Sequence, residues 1–284
     1  MIWGWLCALA AAGCYGVASV GQAVGVRALS RAPRGATLQH RAWAGRWYAV
    51  GLALDGIGFV AAVVALQALP LFVVQAAVAA SVGVTALVAR IALGVELGRV
   101  QVIALAGLAT GLVVLSASAP TQSVQPVSSQ IEWILVAFAV PLAVVAAAVW
   151  WRAARSECAA VALAVCAGLS FAGVGIASRV VVVATPWWST VATPPIWAIA
   201  AYGLVSTLVF ASALARGSVT VVTAVSLSVE TVVPTVVGLV VLGDRIRPGF
   251  EVPVGCGLLI VIISCMGLAG RAHPEVAEEA INIG

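Results

Sequence analysis

The chain has 284 residues, 63% of them hydrophobic and only 8% charged, with a formal net charge of +4. A soluble globular surface carries charge on roughly a quarter of its residues, so this composition excludes a water-soluble fold and requires lipid as the solvent. The positive charge is all arginine and is spread between apolar runs, a distribution that gives nucleic acid no patch to bind.

A helix that crosses a bilayer needs about 20 predominantly apolar residues. Segments of that kind run at 2–28, 47–69, 71–93, 99–117, 131–151, 158–183, 195–214, 218–242 and 250–270. The expected fold class is therefore all-α integral membrane, with about nine transmembrane helices and short loops. In the first segment Ala11-Ala12-Gly13-Cys14 is similar to a lipoprotein cleavage site, but no basic region precedes it, so the segment is read as an uncleaved span. Arg27, Arg31, Arg34, Arg41 and Arg46 crowd the first loop, Arg90 and Arg99 the third, and Arg152 and Arg155 the fifth. The alternate loops, Ala117 to Gln130 and Ala184 to Thr193, carry no charge. Arginine collects on the cytoplasmic side, which predicts an inner (plasma) membrane protein with its N-terminus outside and its C-terminal tail inside. Arg245 and Arg247 in the eighth loop run against that sign.

The tryptophans, among them Trp3, Trp47, Trp133, Trp150, Trp151, Trp188 and Trp197, fall near predicted helix ends, as an interfacial belt requires. Gly21…Gly25 and Gly107…Gly111 have the small-xxx-small spacing that lets helices approach closely, within the chain or across a homodimer. Five of the cysteines, Cys7, Cys14, Cys166, Cys256 and Cys265, lie in apolar runs and Cys158 near a loop, so no disulfide framework is expected.

Leu93-Gly94-Val95-Glu96-Leu97 and Leu242-Gly243-Asp244-Arg245-Ile246 each close one helix before the next begins. Gly13-Cys14-Tyr15-Gly16 loosely matches Leu169-Ser170-Phe171-Ala172, with small residues around an aromatic one. The chain thus reads as duplicated: a first four-helix repeat over 1–117, a linking segment with the fifth helix over 118–157, a second four-helix repeat over 158–270 and a tail over 271–284. The single helix between the copies turns the second over, giving an inverted 4+1+4 repeat of the secondary-transporter kind. In these Gly-acid steps the chain resembles EamA-like members of the drug/metabolite transporter superfamily. The helix count and outside N-terminus are most similar to the nine-helix NIPA-type branch. That resemblance implies transport, with divalent cations or small metabolites as the substrate class.

Ionisable groups in a bilayer cost about 2.5–3.5 kcal/mol each on insertion scales, so Asp55 in the second helix and Glu230 in the eighth need a reason. Pro234 frees the carbonyl of Glu230, four residues before it, so carboxylate and carbonyl oxygen share one spot. Oxygen groups of this kind hold a hard cation or a proton. Arg179 either snorkels to the outer interface or pairs with an anionic substrate group. Gln22 and Gln75 lie mid-helix and hydrogen-bond between helices or to substrate. Glu132 and Glu251 open helices, where the dipole favours a carboxylate. His40 and His273 stand alone in loops, and no phosphate-binding loop or catalytic grouping is present, so neither an enzyme nor a cofactor is expected.

The first functional expectation is a secondary transporter moving a small solute or cation by alternating access, with membrane lipid as its surroundings. A second is a flippase for a lipid-linked phosphate or sugar, held by Arg27, Arg90 and Arg179. A third is a membrane scaffold subunit that transports nothing.

Overall fold

The computed structural model describes residues 2–30, 38–93, 98–118, 128–152, 157–181, 187–217 and 219–269. They form helices α1 (Ile2–Ser30), α2 (Leu38–Leu66), α3 (Leu71–Ala79), α4 (Ser81–Leu93), α5 (Arg99–Ser118), α6 (Ser129–Arg152), α7 (Glu157–Val180), α8 (Pro194–Leu214), α9 (Val219–Val240) and α10 (Glu251–Ala269). A 3-10 helix (Trp187–Ala192) precedes α8, and the described residues contain no strand. Nine helical segments among them are long and apolar enough to cross a membrane, α3 and α4 together making one, so the protein is a multi-pass membrane protein. Helices are the expected answer in lipid, because each satisfies its own backbone polar groups.

The ends follow the chain's punctuation. Pro70 is the N-cap of α3, and Pro194 and Pro195 open α8, where a missing N–H costs nothing. Glu132, Glu157 and Glu251 occupy first turns of α6, α7 and α10, against the positive end of each dipole. Gly243 has φ +70, a left-handed conformation that suits glycine, and it turns the chain out of α9.

Two elements depart from the apolar pattern. α2 begins at Leu38, nine residues before the expected 47, and takes His40 out of its predicted loop into a helix. A helix can run on past the bilayer into water, where hydropathy no longer marks it. The expected span 71–93 is interrupted at Ala80, which joins α3 to α4 without Gly or Pro at the break. The Gly94 to Leu97 step and His273 lie outside the described residues.

Small residues form much of the interior: Ala8, Ala11, Ala65, Ala76, Ala164 and Ala167 are buried, while Trp3, Ile91, Ile103, Phe138 and Val240 are exposed. Lipid supplies no hydrophobic drive between helices, so close backbone approach and dispersion have to hold them together. α1 packs on α2 and α4, α7 packs on α8 and α9, α5 packs on α10, and α3 meets α9 across the middle. Both small-xxx-small motifs serve this packing. A Cβ at Gly25 would fall on the backbone of Tyr48, and one at Gly51 would meet the Ala18 carbonyl at 2.8 Å, so α1 and α2 touch backbone to backbone. Likewise a Cβ at Gly111 would stand 2.9 Å from the Gly257 carbonyl of α10.

The bundle has two chemically different ends. At one, the Arg247 N–H donates to the Ser118 carbonyl (3.1 Å) and the Leu71 N–H to the Asp244 carboxylate (2.6 Å), so the joints after α2, α5 and α9 meet there. At the other, Arg216 after α8 reaches the Trp150 carbonyl near the end of α6 (3.4 Å).

Candidate functional site

A cavity of about 620 Å³ lies within the bundle and is lined from α1, α2, α3, α4, α7, α8 and α9. Of the five residues singled out from the sequence, Gln22, Asp55, Gln75 and Glu230 line this one space, and Arg179 does not. No basic side chain lines it among the described residues.

Each lining residue is placed by its helix. Tyr15, Ser19 and Gln22 follow one another at helical spacing on α1. The Gln22 amide donates to the Asp55 carboxylate from α2, tying the two helices at the cavity wall. That bond uses one part of a carboxylate's acceptor capacity and leaves the rest toward the cavity. Gln75 is buried on α3, and its amide occupies the space that a side chain at Gly175 of α7 would fill. The missing Cβ at 175 therefore admits a polar side chain from α3. Glu230 projects from α9 one turn before Pro234, which sits inside an unbroken helix. The proline supplies no N–H for the Glu230 carbonyl, so backbone and side-chain oxygen lie together.

The rest of the lining is aromatic and hydroxylic. Phe59, Phe171 and Phe210 join Tyr15, and Ser81, Ser178, Ser206 and Thr207 supply hydroxyls. Sequence reasoning passed over these because no single one is unusual in an apolar helix. Their spacing was the available signal: Phe171, Val174, Gly175 and Ser178 form one face of α7, and Gly203, Ser206, Thr207 and Phe210 one face of α8.

Arg179 has a different role from the two the sequence suggested. It is 6% exposed and pairs with Asp244 at 2.8 Å, while its second terminal nitrogen donates to the Leu66 carbonyl at 2.9 Å. Asp244 is satisfied on both oxygens, since Oδ2 accepts the Leu71 N–H at the start of α3. Its own N–H donates to the Gly238 carbonyl (2.8 Å), the turn that Gly243 permits. One buried ion pair thus joins the end of α7, the end of α2, the start of α3 and the exit of α9. Alongside it the Gln67 amide donates to the Val181 carbonyl (3.1 Å). Arg179 follows Ser178, which lines the cavity, so these bonds lie at one end of the cavity.

Comparison with family models, with curated proteins and with solved structures returns no match.

Among the described residues no three His, Cys, Asp or Glu side chains gather as a metal site would need. The carboxylates can still hold a cation together with hydroxyl, amide and backbone oxygens, or carry a proton.

Proposed function

We propose that this chain is a secondary transporter that carries a small cationic solute through the central cavity by alternating access. The observation that carries the reading is a mid-bundle cavity holding two acids, Asp55 and Glu230, and, among the described residues, no basic side chain. Acids in lipid-embedded helices are costly and face a pathway or a partner, and neither of these has a basic partner in the lining. Four aromatic rings around the space suit the face of an organic cation, and the hydroxyls and amides suit its polar substituents.

The packing supports an inverted 4+1+4 repeat. α1 with α2 and α4 has its counterpart in α7 with α8 and α9, α5 and α10 close the two sets against each other, and α6 lies beside α7 and α8. Two such sets around one cavity can rock against each other. The arginine-rich loops support a cytoplasmic side opposite the end that carries Asp244, and the EamA-like resemblance fits the same picture. A flippase would need cations to grip an anionic head group, yet Arg90 is exposed near the end of α4 and Arg179 is engaged by Asp244. Arg27 has no described side chain.

The test is a panel of organic cations, organic anions, divalent metals and neutral metabolites screened for thermal stabilisation of the purified chain, followed by uptake of any hit into proteoliposomes. A cationic ligand whose stabilisation falls at least about tenfold in apparent affinity in Glu230→Gln, with uptake lost, is the expected result. Stabilisation that survives both Glu230→Gln and Asp55→Asn would remove the cavity from the mechanism. A panel in which only anions act would reverse the assigned charge.

A further inference from the structure

A second site lies on the outside of the bundle. α6 leans on α7 and α8, and between them runs a groove of about 330 Å³ walled by Ala143, Ala146, Ala147, Leu208 and Ser212 and closed by Trp151. The groove exists because α6 presents alanines where larger side chains would fill the space. It shares no lining residue with the central cavity, since the two spaces lie on opposite faces of α8.

Arg216 stands one turn beyond Ser212 at the end of this groove. Its Nη1 donates to the Ser212 carbonyl (3.0 Å) and its Nη2 to the Trp150 carbonyl (3.4 Å), while the guanidinium lies 5.6 Å from the Trp150 ring centroid. Its Nε is buried and has no hydrogen-bond acceptor. No described carboxylate comes within ion-pair distance of it. Each terminal nitrogen spends one of its two N–H groups on these carbonyls and keeps the other. A fixed positive charge with donors left over therefore stands at the mouth of an apolar groove, beside two exposed tryptophans at interface level.

We infer that this groove binds one anionic phospholipid, with an acyl chain along the alanines of α6 and the phosphate on the Arg216 guanidinium. Charge selects the occupant. A zwitterionic lipid fills the groove equally well but brings a compensating cation, whereas an anionic head group answers the charge of Arg216, which meets no described carboxylate. The groove is apolar along its length and basic only at its end, which matches the build of a lipid and not of a peptide or a free anion.

The experiment uses the full chain in a nonionic detergent, with phosphatidylglycerol and phosphatidylcholine of identical acyl chains in equal amounts, and counts bound lipid by native mass spectrometry. The wild type is expected to retain phosphatidylglycerol about 5-fold over phosphatidylcholine, the weight of one arginine at a charged lipid surface. Arg216→Gln brings the ratio to about one, and Arg216→Lys preserves most of it. Ala147→Phe, which fills the groove from its open side, lowers retention of both lipids together. Equal retention by the wild type, an unchanged ratio in Arg216→Gln, or displacement by glycerol phosphate alone would each overturn the inference, the last by assigning the site to a free phosphate.

Discussion

Asp244 and Asp55 are both acids in an apolar bundle, but their surroundings differ in kind. The Asp244 side chain is 1% exposed and meets a guanidinium on one oxygen and a helix N-terminal N–H on the other. Asp55 is half-buried, meets only the Gln22 amide among the described bonds, and looks into a cavity. A carboxylate whose oxygens are both matched by donors fastens elements together. One with acceptor capacity left over is available to a ligand. The contrast predicts that the first pair governs stability and the second governs binding.

The largest effect should come from removing half of the fastener. Arg179→Ala leaves Asp244 charged and buried without its cation, which costs about 3–5 kcal/mol. Thermal unfolding in detergent checks it, and the double change Arg179→Met with Asp244→Asn should recover much of the loss. If the single and double variants are equally unstable, the ion pair is not what holds this end.

Gly238→Ala sharpens the same side of the comparison. A Cβ there would stand 3.0 Å from Asp244 Oδ2 and 3.3 Å from the Leu71 side chain, neither free to move without disturbing the bonds just described. A loss of about 1–3 kcal/mol is expected, read as a lowered unfolding midpoint with ligand affinity unchanged. Gly175→Ala makes the mirror test at the cavity. Its Cβ collides with the Gln75 amide, and ligand affinity should fall along with stability.

The smallest change in stability is expected for Asp55→Asn, which keeps an oxygen for Gln22 and removes only a charge, at less than about 1 kcal/mol. Its ligand affinity should nevertheless fall at least about tenfold. A large loss of stability without loss of affinity would make Asp55 a second fastener and dissolve the contrast.

The nine spans were legible because lipid imposes a length and an apolar content that a linear sequence carries openly. α5, expected at 99–117, runs Arg99–Ser118, and α8, expected at 195–214, runs Pro194–Leu214. The start of α2 was not legible, because its first residues leave the apolar rule while remaining helical. Nor was the break at Ala80, where neither Gly nor Pro gives notice. Four of the five site candidates converge because a polar side chain in such helices has few other places to go. The partnership of Arg179 with Asp244 spans 65 residues and depends on how α7 and α9 end side by side, which no local pattern encodes. Asp244 was visible only as part of a Gly-acid step, and its role at the start of α3 appears once the turn at Gly243 is known.

The backbone contact between α1 and α2 also bears on electrical tightness. A membrane that stores an ion gradient loses it through any water-lined crack in a protein that bridges it, and the seam where Gly25 meets Tyr48 and Gly51 meets Ala18 leaves no width for a file of water. Asp55 stands on the same two helices. At these two points the wall beside it has no room for water, so a proton or ion bound for this acid would come by way of the cavity.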